Sequence, residues 1–207
     1  MKTIKELMEW RFACKQFDEQ KKIPENVLKD ILETARLSPS AYGLQAWKFI
    51  VVTDAEVKAQ LAPVCYNQPQ ITQSAALIVC CIRTDVMGEN GVVEKYSNLS
   101  GREQNKSEEE VAKFKERLNG TMKMMGDDGV KVWLQKQIYI PAESMILAAA
   151  EQGIDSCPME GFEAAGVAKV LELPEYLIPT ILVPLGYRNM EQPKKIRFGM
   201  DEVVEWR

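Results

Sequence analysis

Ser38-Pro-Ser-Ala-Tyr-Gly-Leu-Gln-Ala-Trp47 joins two segments with clear patterns. Before it, Val27, Leu28, Ile31, Leu32 and Ala35 recur at helical spacing, and after it Phe49-Ile-Val-Val52 reads as a buried strand. Helix-to-strand connections usually take about two to six residues, so a linker of roughly ten is long. Pro39 fixes one backbone angle and removes a donor. Gly43 admits positive φ. Ser38, Ser40 and Gln45 bring hydroxyl and amide groups with no helix or sheet to serve. An ordinary polar turn and a ligand-bearing loop on rigid flanks both fit this composition.

Toward the N-terminus, Thr3-Ile-Lys-Glu6 has capping-box spacing ahead of an Ile4, Leu7, Met8 stripe, so a first helix ends near Trp10. Pro24 suits the first turn of the second helix. Downstream, a strand is predicted at 48–53 and a short helix at 55–61. Asn67-Gln-Pro-Gln70 then breaks the pattern. The run 75–84 is apolar without alternation, which predicts a strand covered on both faces, with Cys80 and Cys81 pointing to opposite sides.

Residues 86–106 are polar, carry Gly88, Gly91 and Gly101, and read as an excursion. Ser107-Glu-Glu-Glu110 repeats the capping box before Val111, Phe114 and Leu118. A central helix is predicted from about Gly129 to Gln152, kinked at Pro141 and stopped by Gly153. A last helix at 162–171, a strand at 178–185 and a strand-like tail at 202–206 complete an α+β fold in one domain, 1–207.

The net charge of −4 argues against a general nucleic-acid or anionic-membrane surface, while leaving room for a local phosphate pocket. No run approaches the ~18 apolar residues of a membrane span, and Met1-Lys-Thr-Ile-Lys-Glu6 lacks a signal-peptide core, so a cytoplasmic location is the default expectation. The 5 cysteines are odd in number and irregularly spaced, which fits neither a disulfide framework nor a metal motif. The chain has 0 histidines. That excludes a Ser-His-Asp or Cys-His relay and any imidazole acid, base or metal ligand. Chemistry here needs another engine, and a bound cofactor with its own reactivity would meet that need.

Leu37-Ser-Pro-Ser-Ala-Tyr-Gly-Leu-Gln-Ala-Trp-Lys-Phe49 resembles a segment of the FMN-dependent nitroreductase family that touches the flavin's ribityl chain. Trp10-Arg-Phe-Ala-Cys-Lys-Gln-Phe-Asp18, Pro158-Met-Glu-Gly-Phe162 and Lys195-Ile-Arg197 follow the same family in the expected order. The likeness runs from about Ile4 to Arg197 and is weakest over 85–127. It implies a mostly antiparallel central sheet surrounded by helices, in a homodimer that exchanges chain tails and builds its flavin sites at the subunit interface. The excursion, taken as about 86–126, should then cover the ring.

On the residues alone, any one of Arg11, Lys15, Lys194, Lys195 and Arg197 reads first as solvated surface, with a phosphate site as the alternative. A phosphate offers the acceptor oxygens that Arg forks and Lys ammonium groups match. The resemblance implies that Arg11, Lys195 and Arg197 hold the FMN phosphate, with Phe12 and Ala13 beside it. It places Lys15 at the pyrimidine edge, Asn67 and Gln70 at the ring's polar edge or ribityl chain, and Ser38, Pro39, Ser40, Gly43 and Gln45 along that chain. Pro158 and Met159 would lie against the ring, with the backbone N–H groups of Glu160 and Gly161 toward N5 and O4. The stretch 158–162 is read as opening the last helix.

Ala13 stands where the family usually has Ser, Gly43 where many members have Asn, and Gln70 where many have Lys. Cys157 reads as a buried filler or as a redox thiol. The implied activity is hydride transfer from NADH or NADPH through the flavin to a small electron-poor acceptor, a nitroaromatic or quinone. Lys15 and Glu160 would tune or position the flavin, which itself carries the hydride, and no metal takes part. Other chemistry on the same fold (dehalogenation, enone reduction, flavin breakdown) and flavin binding without efficient turnover stay open.

Overall fold

The apolar run Ala76–Arg83 forms strand β2, and its alternation divides the interior in two. Ile78, Cys80 and Ile82 enter one core, while Leu77, Val79 and Cys81 enter the other, as a strand covered on both faces requires. The structure, a computed structural model, describes residues 2–207. Its sheet has the order β1 (Trp47–Val52), β2, β4 (Leu177–Gly186), β3 (Asp155–Ser156), with antiparallel pairing throughout. A parallel bridge from Ala13 to Ser156 extends the β3 edge.

Helices α1 (Ile4–Trp10) and α2 (Glu25–Arg36) precede β1, and the Thr3–Glu6 capping box is present. Between β1 and β2 lie α3 (Ala55–Leu61) and α4 (Pro69–Gln73). The segment read as a polar excursion contains a helix, α5 (Val92–Glu103). Its buried stripe is Val92, Val93, Ser97, Ser100 and Gly101, small residues that let it lie against the next helix.

That next helix, α6 (Glu108–Glu151), packs its buried face into the core that holds Ile78, Cys80 and Ile82, and carries the second capping box at Ser107. Its backbone leaves helical angles at Gly126 (φ 67°, ψ 170°) rather than at Pro141, where a kink was expected. Gly126 reaches positive φ with nothing crowding it, whereas Pro141 forfeits one hydrogen bond inside a buried, well-packed turn. Gly153 ends the helix at φ 71°, as its position suggested. After β3 come α7 (Ala164–Val170), β4 and a tail. The tail forms a helical turn, α8 (Met200–Val203), where a strand was expected, because the Glu202 carboxylate folds back onto the Gly199 N–H at 2.9 Å. No helix among the described residues is long and apolar enough to cross a membrane.

Candidate functional site

The two ends of the chain meet. Lys195 Nζ donates to the carbonyls of Met8 and Arg11, the latter at 2.5 Å, and so ties the tail to the segment that follows α1. Burial, then the Arg11 and Arg197 guanidinium groups, hold the Lys195 ammonium below its ordinary range. None of these three cations has a carboxylate partner among the described residues. Arg11 Nε is buried with no hydrogen-bond partner. A buried guanidinium N–H left unmatched is costly, so an anion with several acceptor oxygens fits the place.

A second pair of residues fixes this corner, and no local pattern announced it. The Arg188 backbone N–H and Nε donate to Asp155 at 2.9–3.0 Å, with Nη2 at 2.6 Å. The guanidinium also lies over the rings of Trp10 (4.3 Å) and Phe12 (4.7 Å). Gln192 Nε2 reaches the Glu9 carbonyl at 3.0 Å. Residues 9–12 are thereby held from three directions, with Phe12 buried and Arg11 left facing its cationic neighbours. Ala13 sits at the bridge to Ser156, which is made by the Cys14 N–H donating to the Ser156 carbonyl at 3.0 Å.

Beyond Ala13, Lys15 Nζ donates to Cys157 Sγ at 3.2 Å. Burial pushes the Cys157 thiol up, and the Lys15 and Arg11 charges offset only part of that. Cys157 is wholly buried, the environment of an inert filler. Gln70, 2% exposed, donates to Gln68 Oε1 at 3.1 Å, and Gln68 Nε2 donates to the Gly161 carbonyl at 2.7 Å. Gln68 thus joins the α4 turn to residues 158–161, a role sequence reasoning missed. Tyr66 (φ 55°) and Asn67 (φ 51°) are both left-handed in this turn, and such strain persists where surrounding structure enforces it.

Residues 158–161 form a connecting loop ahead of α7 rather than its first turn. Met159 remains paired with Leu182 (2.8 and 2.9 Å), and the Glu163 N–H goes to the Val64 carbonyl, so helix angles begin only at Ala164. The unpaired amides of a helix N-terminus are therefore not what Glu160 and Gly161 present. Across from them, Tyr139, Ala142, Glu143 and Ile146 of α6 enclose a cleft of about 510 Å³ with Pro158, Met159, Glu160 and Ile181. Tyr139 donates its hydroxyl to the Glu160 carboxylate. Burial first, and that hydrogen bond second, push the phenol up to about 12.

The loop 38–45 lies elsewhere. Ser38 Oγ donates to Ser144 Oγ (2.8 Å), and the Ala41 N–H donates to Gln137 Oε1 (2.8 Å). Ser40 Oγ accepts from the Gln45 N–H at 2.9 Å, and Gln45 Nε2 donates to the Gly43 carbonyl at 3.3 Å. Tyr42, Gly43 and Gln45 all have positive φ. A Cβ at Gly43 would overlap the Tyr96 hydroxyl, so the missing side chain makes room for α5. Pro39 is exposed. Gln137 and Ser144 are each two positions from Tyr139 and Ile146, a rotation of ~200° around α6. Loop and cleft are thus on opposite faces of one helix. The structure brings Arg11, Lys15, Gln70, residues 158–161, Lys195 and Arg197 to one side, and leaves Ser38, Pro39, Ser40, Gly43 and Gln45 on the other.

Comparison with known proteins supplies the family. The pattern defining the nitroreductase family matches residues 8–187. A Staphylococcus haemolyticus protein named "Putative NAD(P)H nitroreductase" is 32% identical over 99% of this chain and 97% of its own. YfkO of Bacillus subtilis, named in the same way, is 31% identical over 95% and 94%. Among solved structures, a nitroreductase family protein of Streptococcus pneumoniae superposes with a TM-score of 0.84 at 28% identity, covering 99% of this chain and 100% of that one. An Exiguobacterium sibiricum structure in complex with FMN shares the fold at TM-score 0.86 and 22% identity, with 100% and 98% covered.

Proposed function

The chain belongs to the nitroreductase family, and on that premise we propose that it is an FMN-dependent oxidoreductase. It uses NADH or NADPH to reduce an electron-poor small molecule, a nitroaromatic or a quinone. The NAD(P)H in its relatives' names and the FMN in the Exiguobacterium structure support this reading. The observation that carries it is the buried, unpartnered Nε of Arg11 within a group of three unpaired cations.

Arg11, Lys195 and Arg197 would hold the FMN phosphate, and each charge-assisted hydrogen bond there contributes on the order of 1.5–3 kcal/mol. When bound, FMN supplies the reversible hydride acceptance that no side chain of this chain offers. Lys15 places a cation where negative charge would gather. Its contact with Cys157 keeps that ammonium in place without neutralising it. Asn67 and Gln70 would contribute amides at the polar edge, and Pro158, Met159, Glu160 and Gly161 the wall of the slot. The apolar side chains of Met159, Ile146 and Ile181 keep water from its floor.

Ser38, Pro39, Ser40, Gly43 and Gln45 would reach this slot from a second copy of the chain. Twofold pairing across α6 sets one copy's loop beside the other's cleft. Tyr139 (40% exposed) and Val132 (50%) on α6, with Ile196 (82%), Phe198 (77%) and Trp206 (90%) on the tail, are the apolar surface such a homodimer would cover.

The test is steady-state oxidation of NADH and NADPH by FMN-loaded protein with a nitroaromatic or a quinone as acceptor. Rapid turnover is the expected result. Flavin that stays bound but is reduced slowly or not at all would mark a binding protein instead.

A further inference from the structure

A chain of hydrogen-bonded amides runs from residues 158–161 into α4. Gln68 Nε2 donates to two backbone carbonyls, those of Gly161 (2.7 Å) and Cys65 (3.1 Å). A carbonyl only accepts, so this end of the Gln68 amide must be its nitrogen, and its oxygen must turn the other way. That oxygen accepts from Gln70 Nε2 at 3.1 Å. The same Gln70 nitrogen lies 4.0 Å from Cys157 Sγ, which also takes the Lys15 ammonium at 3.2 Å. The Gln70 nitrogen is therefore engaged inside the protein. Turning this amide over would set its oxygen against that of Gln68, acceptor against acceptor.

The free end of this chain is thus an acceptor. Gln70 Oε1 takes no hydrogen bond among the described residues, although the residue is only 2% exposed. Among those residues the sealed side-chain atoms without a partner are Arg11 Nε and Asn119 Oδ1, so open space still reaches the Gln70 oxygen. Resting on the oxidoreductase reading above, we propose that Gln70 offers this oxygen to the imide N–H of the flavin ring, and that Gln68 is the positioning residue that fixes the polarity. The pyrimidine edge of a flavin alternates carbonyl, N3–H and carbonyl. Lys15 can only donate and suits a carbonyl of that edge, whereas the N–H needs an acceptor. A freely turning Gln70 would offer its NH2 group as readily as its oxygen. The two carbonyls behind Gln68 remove that choice before any ligand arrives, so binding does not bear the cost of ordering the amide.

The test titrates flavin-free protein with FMN and with 3-methyl-FMN, which carries a methyl group on N3 in place of the proton, and follows flavin fluorescence. The unaltered protein is expected to bind FMN more tightly by about tenfold or more, equal to ~1.4 kcal/mol. Gln70→Leu and Gln68→Leu each bring that ratio toward one. Gln68→Glu still offers an oxygen to Gln70 but cannot donate to the Gly161 carbonyl, so both flavins bind more weakly while the ratio persists. A Gln68 that merely braced the fold would weaken the two flavins alike in both of its variants. A ratio near one in the unaltered protein, or a ratio that Gln68→Leu leaves unchanged, overturns the proposal with FMN binding intact. No uptake of either flavin refutes the oxidoreductase reading instead. The positioning role is then decided without flavin, by nitrogen-15 NMR of the free protein. The Gln70 side-chain NH2 should exchange with water more slowly than in Gln68→Leu, and equal exchange in the two overturns the assignment.

Discussion

Arg188→Met removes a guanidinium but keeps an unbranched chain over Trp10 and Phe12. The Asp155 side chain is 2% exposed and receives three hydrogen-bonding groups from Arg188, two of them from the guanidinium. The substitution leaves a buried carboxylate with the Arg188 backbone N–H as its remaining donor from that residue. Breaking a buried ion pair from one side costs about 3–5 kcal/mol. Because the Arg188 side chain is itself 26% exposed, the lower end applies, ~3 kcal/mol. For a chain of this length that lowers the melting temperature by about 6–12 °C. Urea denaturation followed by circular dichroism measures the loss directly. The double variant Asp155→Leu, Arg188→Met removes both charges and should recover most of the stability. Arg188→Met within ~1 kcal/mol of the unaltered protein, or a double variant no better than the single, would refute the reasoning.

Three further outcomes follow from the geometry. Gly43→Ala places a Cβ at φ 71° and against the Tyr96 hydroxyl; a loss of about 1–2 kcal/mol is expected, partly relieved when combined with Tyr96→Phe. For Tyr139, a folded value raised to about 12 means that the proton needed for the Glu160 hydrogen bond is held more tightly in the native state. Its contribution is complete below about pH 10 and is lost as pH rises toward 12. An ultraviolet titration of the 6 tyrosines should show one late phenol that disappears in Tyr139→Phe, and no change on that substitution would contradict the assignment. All 5 cysteines are buried. A thiol reagent should therefore label none rapidly in the native protein and all 5 after unfolding; rapid native labelling lost in Cys157→Ser would restore the redox-thiol reading.

Strand β2 was legible because a continuous apolar run has few other solutions, and α1 because its capping box sets the start. Helix α5 was not legible, because its buried face is built from Ser97, Ser100 and Gly101, which look like loop residues. Their smallness matters only against the neighbouring helix, where a Cβ on Gly101 would lie 2.5 Å from Val111 Cγ2. The break at Gly126 was masked by Pro141, the stronger local signal for a kink. The four family-like motifs pointed to the site, yet not to its arrangement. That the 38–45 loop and residues 158–161 occupy opposite faces of α6 depends on helix rotation, which the motifs themselves do not carry. Asp155 and Arg188 lie 33 positions apart and are joined by no pattern of their own. Tyr139 and Glu143 resemble any exposed helix residues until the cleft is seen.

Titration of flavin-free protein with FMN, followed by flavin fluorescence and paired with sedimentation equilibrium, tests most directly whether the chain ends and a second copy's loop converge on one cofactor. The expected result is one FMN per chain on a dimer, with affinity weakened roughly 10- to 150-fold by Arg11→Gln, the equivalent of one charge-assisted hydrogen bond. A protein that takes up no FMN, or one whose affinity is indifferent to Arg11→Gln, would contradict it.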